Sequence, residues 1–170
     1  MGREKPTVEI RTSKGTIKAE LWPDRSPRTV ENFLQYVDED FYEGTIFHRV
    51  ISNFMIQGGG LNEDMEKERT HRPVRNEATA DKKNERGTLA MARTQKVDSA
   101  TSQFFINLAD NEFLDRTGDA PDEYGYAVFG KVIEGMDVVD EIAGVETTQR
   151  GGRQDVPVQP VLIEAIRRGE

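Results

Sequence analysis

The stretch FHRVISNFMIQGGG, residues 47–60, is among the most apolar in the chain, yet it carries a permanent cation at Arg49 and ends on Gln57 and three glycines. Alternate residues of a strand share a face. A strand over 45–51 therefore puts Arg49 with Phe47 and Ile51, and a second strand over 54–59 puts Met55 with Gln57. If Ser52-Asn53 reverses the chain, Arg49 lies across from Met55 and Gln57. The product is a concave patch of one cation, one amide and sulfur or aromatic surface. Gly58 and Gly59 are then expected to let a ligand backbone approach closely. Pattern alone leaves a second reading open, in which Arg49 is buried and paired with an acid from elsewhere.

The flanking sequence suggests how that patch is supported. TVEIRTSKGTIKAELW (7–22) alternates apolar and polar residues about a Ser-Lys-Gly turn and predicts a hairpin. In SPRTVENFLQYVDED (26–40), Val30, Phe33, Leu34 and Val37 follow helical spacing, with Ser26 as the expected cap and Pro27 in the first turn. GTLAMAR (87–93), SQFFINLA (102–109), GYAVFGKVI (125–133) and QPVLIEAIRR (159–168) predict further strands, and GMDVVDEIAGV (135–145) a second helix. Residues 61–86 and 110–124 read as long polar loops. The sum is about eight short strands and two helices in one domain spanning 1–170. Tight turns rather than βαβ spacing favour a mainly β fold: a closed, eight-stranded antiparallel barrel capped by two α-helices.

Composition narrows the chemistry. The net charge is −8, from 31 acidic and 23 basic residues, with no basic run of the kind nucleic acid requires. No apolar run reaches membrane-spanning length. The charged start MGREKPTVEIRTS enters a strand pattern almost at once, so a cytoplasmic location is the expectation. There is no cysteine, and the only histidines are His48 and His71. That starves both a Ser-His-Asp hydrolase and a transition-metal site. The acidic loop 115–126 has Ala120 and Tyr126 where a calcium loop needs glycine and glutamate, and reads as solvated. Gly58-Gly59-Gly60 is followed by no Lys-Ser/Thr pair and is no phosphate loop. His48 is expected on the face opposite Arg49 as a hydrogen-bonded structural residue, and His71 is expected to be exposed.

FYEGTIFHRVISNFMIQGGG (41–60) resembles the signature of the cyclophilins, peptidyl-prolyl cis-trans isomerases built on a capped eight-stranded barrel. The resemblance continues through RGTLAMARTQ (86–95), SQFFINLADNEFLD (102–115) and GYAVFGKVIEGMDVVDEI (125–142), most of the chain in the family's order. It is similar to the single-domain bacterial or archaeal form.

The resemblance implies an enzyme that accelerates rotation about Xaa-Pro bonds and assists protein folding. It implies catalytic roles for Arg49, Phe54 and Gln57. Phe54, Met55, Phe105 and Leu114 would form the proline pocket, and Gln57 would hold the substrate backbone. Ala92 and Arg93 would pair with the peptide through main-chain groups, Gln103 would line the same groove, and Phe113 and Tyr126 would sit on its rim.

Three positions depart from the eukaryotic pattern: Arg93 stands for Asn, Phe113 for Trp and Tyr126 for His. The last two lie where cyclosporin packs in the family, so weakened inhibitor binding with retained catalysis is expected. No cofactor or metal is implied. The partners implied are Xaa-Pro peptides and folding proteins, with neither nucleic acid nor membrane, and a monomer suffices. The alternative reading is a proline-peptide-binding chaperone module with little turnover.

Overall fold

A computed structural model describes residues 5–169. β1 (Thr7–Thr12) and β2 (Gly15–Leu21) form the expected hairpin, with Val8, Ile10, Ile17, Ala19 and Leu21 all fully buried. Its turn is locked by Thr12 Oγ1, which donates to Gly15 O at 2.7 Å and accepts from Lys14 N at 3.0 Å.

The remaining strands of the main sheet are β3 (Thr45–Ile46), β4 (Arg49–Ile51), β5 (Met55–Gly58), β6 (Thr88–Met91), β7 (Phe104–Asn107), β8 (Val128–Glu134) and β11 (Leu162–Arg168). The sheet runs β3-β11-β1-β2-β8-β6-β7-β5-β4, antiparallel throughout. The single strand expected over 45–51 is broken at Phe47-His48, so eight strands are counted as nine. The break has a function in the fold. Its first half pairs with β11 and its second half with β5, so the two edges of the curled sheet are successive pieces of one segment. Gly58 permits this seam, since a Cβ there would lie 2.5 Å from Ile46 O.

A second sheet, the ribbon of β9 (Thr147–Arg150) and β10 (Arg153–Pro157), was not anticipated. It turns on Gly151 and Gly152, both at positive φ, and packs against β4.

The barrel interior is apolar. α1 (Pro27–Asp38) delivers Phe33 onto Tyr42, Phe104 and Phe129, with ring centroids 5.1–5.5 Å apart. α2 (Met136–Ala143) contributes Val139 and Ile142. Ser26 does not cap α1 as expected; its Oγ donates to Val128 O at 2.9 Å. The orphan amides at the helix start are satisfied instead by Glu77, whose carboxylate accepts from Thr29 N at 2.7 Å and Arg28 N at 3.3 Å. Beside it, Lys82, 5% exposed, donates to Glu77 O at 2.5 Å, Arg25 O at 2.7 Å and Ser26 Oγ at 3.3 Å. Burial lowers the Lys82 pKa, opposed by the charges of Glu77 and Asp81. The polar excursion 61–86 is therefore partly a tether that fixes the start of α1.

Candidate active site

β7 is buried on both faces, and so is β5 except at the half-buried Gln57. Ile56, Phe104 and Ile106 point into the barrel. Met55 and Phe105 point outward, into a second apolar cluster with Ala90, Leu114 and Val128, flanked by Phe54, Ala92 and Tyr126. Register places one row of residues side by side across five strands: Arg49, Gln57, Phe105, Ala90 and Val128. Directly opposed residues share a face. A cation and an amide thus border an aromatic floor on the outer wall of the barrel.

Arg49, Phe54, Met55, Gln57, Ala92, Arg93, Phe105, Leu114 and Tyr126 line one cavity of about 110 Å³. Arg49 is exposed, and among the described residues no carboxylate lies within 4.0 Å of its guanidinium. This removes the buried ion-pair reading. Phe47, expected on the Arg49 face, lies instead in the barrel core, because the break after it turns the chain.

Gln57 Nε2 donates to Gln103 Oε1 at 3.0 Å, which brings Gln103 to the cavity's edge. Phe113 is outside the small cavity. It is 73% exposed, stacks on Phe54 at 5.4 Å, and lines a broader groove with Arg49, Arg93 and Tyr126. Internal packing by itself requires two of the glycines: Gly59 would clash with Tyr42 and Phe104, and Gly60 with Gln103, if either carried a side chain.

Ala92 N–H is already spent on Gln103 O at 3.0 Å. Ala92 C=O and Arg93 N–H have no partner among the described residues, which leaves one acceptor and one donor beside the cavity. The Arg93 side chain has a role that the sequence did not suggest. It donates to Gly125 O at 2.9 Å, Pro121 O at 2.8 Å and Thr94 O at 3.1 Å, and lies 4.9 Å over the Tyr126 ring. Tyr126 in turn meets Phe105 edge-on at 5.6 Å. Arg93 thereby ties the long loop to the pocket wall.

His48 is 2% exposed, and its Nδ1 has no partner, contrary to the hydrogen-bonded role expected. Burial, helped by Arg153 and Arg49, lowers its pKa to about 4, so it is neutral near pH 7. His71 is exposed as expected and bonds Glu39 at 2.6 Å. No lining residue of the cavity is an acid or a histidine. The geometry suits a reaction without proton transfer.

On this antiparallel barrel a guanidinium with no carboxylate partner among the described residues stands beside a small hollow walled by Phe54, Met55, Phe105 and Leu114, and the chain belongs to the cyclophilins: the family described as cyclophilin type peptidyl-prolyl cis-trans isomerase/CLD matches residues 7–168. It is a peptidyl-prolyl cis-trans isomerase that acts on Xaa-Pro bonds and assists folding.

The chain is 56% identical to a peptidyl-prolyl cis-trans isomerase of Streptomyces antibioticus, covering 95% of this chain and 97% of that one. It is 52% identical to peptidyl-prolyl cis-trans isomerase B of Escherichia coli, covering 96% and 99%. Among solved structures it resembles a Cryptosporidium parvum cyclophilin-type isomerase at a TM-score of 0.79 and 27% identity, covering 98% and 99%. The same protein crystallised in the presence of the dipeptide Ala-Pro matches at 0.77 and 27%, covering 96% and 99%. Among the described residues no helix is long and apolar enough to cross a membrane.

Proposed function

We propose that Arg49 is the principal catalyst and that the apolar hollow of Phe54, Met55, Phe105 and Leu114 clamps the proline ring. The observation that carries this reading is an Arg49 guanidinium with no acidic partner, directly across from Gln57 at the mouth of that hollow. Resonance opposes rotation about an ordinary peptide bond with a barrier of about 18–20 kcal/mol. As an Xaa-Pro amide twists, its nitrogen lone pair leaves conjugation and becomes an acceptor. Arg49 donates to that nitrogen, a contact stronger in the twisted state than in either planar one. Gln57, held by Gln103, accepts or donates at the substrate backbone, while Ala92 C=O and Arg93 N–H align the chain.

Peptide binding covers Arg49 and lowers the local dielectric, which strengthens its donation. A 10⁵-fold acceleration corresponds to about 7 kcal/mol. One preorganised donor contributes about 3–4 kcal/mol, by analogy with oxyanion holes. Clamping and alignment supply the rest. Arginine fits better than lysine because its planar fork presents several fixed donors.

The substrates in this reading are Xaa-Pro segments of unfolded or folding proteins, met by a monomer in the cytoplasm. Cyclosporin binds the same groove with reduced affinity, because Phe113 and Tyr126 replace the Trp and His of the eukaryotic pattern. The test is magnetisation-exchange NMR on an Ala-Pro peptide with wild type and Arg49→Ala. The expected result is fast exchange with wild type and at least a hundredfold less with the variant. Equal rates would overturn the assignment of Arg49.

A further inference from the structure

Strand alternation puts Asn107 on the same face of β7 as Phe105, and register puts it beside Met55. It is a fully buried amide next to the pocket floor. Asn107 Nδ2 donates to Asn84 Oδ1 at 3.2 Å and to Thr88 Oγ1 at 2.9 Å. Asn107 Oδ1 accepts from Asn111 Nδ2 at 2.8 Å, and Asn111 Nδ2 also donates to Phe54 O at 2.8 Å. Asn84 Nδ2 donates to Leu114 O at 3.2 Å and to Asp115 Oδ1 at 3.1 Å, while Asn84 N–H donates to Asp115 Oδ1 at 2.6 Å. Asn84, Asn107, Asn111, Thr88 and Asp115 are all at least nine-tenths buried.

The result is a continuous hydrogen-bonded chain from the Phe54 carbonyl to the Leu114 carbonyl. These residues are two walls of the hollow, and both lie outside the strands. Main-chain bonds tie each wall separately, Phe54 O to Leu108 N–H at 2.9 Å and Leu114 O to Tyr126 N–H at 3.1 Å, but none runs from one wall to the other. Hydrophobic contact between them is non-directional, whereas amide hydrogen bonds fix distance and angle. Buried amides are also costly unless fully paired, so a network this complete favours one arrangement over its alternatives.

We propose that Asn84, Asn107 and Asn111 are positioning residues of the isomerase, holding the Phe54 and Leu114 walls at the spacing that grips a proline ring. This rests on the reading that the ring binds in that hollow. The network touches no substrate and acts through the two carbonyls.

The test compares Asn111→Ala, Asn111→Ser and Arg49→Ala with wild type. Peptide affinity comes from NMR titration with an Ala-Pro peptide, exchange rate from the saturated complex, and folded fraction from circular dichroism. Asn111→Ala is expected to weaken affinity about fivefold to tenfold and to broaden the Phe54 ring and Leu114 methyl signals. Asn111→Ser, which keeps one donor, should recover part of the affinity. Arg49→Ala should show the reverse split: exchange lost, affinity changed by less than about threefold. Should Asn111→Ala not fold, Asn84→Ser at the far end of the chain carries the same expectation.

Wild-type affinity and sharp signals in the folded variant would overturn the proposal, as would losses that merely follow the folded fraction. If exchange instead survives Arg49→Ala, it is the site reading that fails, and the asparagine result is read separately.

Discussion

Two cations of this molecule, Lys82 and Arg49, are treated in opposite ways. Lys82 is buried and donates to three oxygens at the start of α1. Arg49 is exposed, pairs with no carboxylate among the described residues, and borders an apolar hollow. A charge whose donors are all used within the fold stabilises it. A charge whose donors are unused, held in place by a strand and faced by an amide, is available to something else. Arg93 lies between these cases: its side chain is occupied by loop carbonyls while its main chain stays open.

The contrast can be broken at either end. The largest effect is expected for Arg49→Ala, with at least a hundredfold loss of exchange and little change in melting temperature, since its side chain makes no salt bridge among the described residues. Lys82→Met should do the opposite. It leaves three acceptors without their donor and is expected to cost about 3 kcal/mol in urea unfolding, with the exchange rate per folded molecule unchanged. A stable Lys82→Met with lost activity would dissolve the distinction.

His48 sharpens the comparison, because it is kept neutral by burial and by the same Arg49. Its folded pKa of about 4 lies below the unfolded 6.5, so the unfolded chain binds the proton first as pH falls. Stability is therefore full above about pH 6.5 and declines toward pH 4. Between pH 7 and pH 5 the loss is about 2 kcal/mol, readable by denaturant titration and removed in His48→Phe. An equal decline in His48→Phe would assign it to other groups. The smallest effect on turnover is expected for Phe113→Trp, which should tighten cyclosporin binding while exchange stays within about twofold. Unchanged inhibitor affinity would show that the rim aromatic stacked on Phe54 does not set it.

Much of the barrel was legible because its strands alternate or run continuously apolar, and each of the eight predicted strands corresponds to one in the sheet or, for 45–51, to the two halves of one. That break was hidden. Phe47, Arg49 and Ile51 alternate without interruption, and only the need to join β11 to β5 explains the corner. The β9–β10 ribbon was hidden for another reason: TTQR is polar and mostly exposed, and in RQDVP the two buried residues, Val156 and Pro157, are consecutive rather than alternating, so no periodic face marks them. The cap of α1 was misassigned because Glu77, 48 residues beyond Thr29, replaced the local serine.

At the site, Arg49 opposite Gln57 followed from parity and turn placement, whereas Phe105 was reached only through the family resemblance. The asparagine chain followed from neither, since it joins four separate stretches of sequence. Its one local trace is the final residue of FFIN (104–107), a polar side chain at a position whose alternation predicts burial.

The sheet order has a consequence for the protein's own synthesis. β11, the last strand, lies between β3 and β1 and is hydrogen-bonded to both. Until residues 162–168 have left the ribosome, the first hairpin and the segment that closes the barrel each have an unpaired edge. Such long-range pairing is slow to form and holds back closure of the barrel until β11 is available. A helper of other chains' folding thus cannot close its own barrel before β11 is available, and deleting the seven residues of β11 would open the barrel along two strands at once.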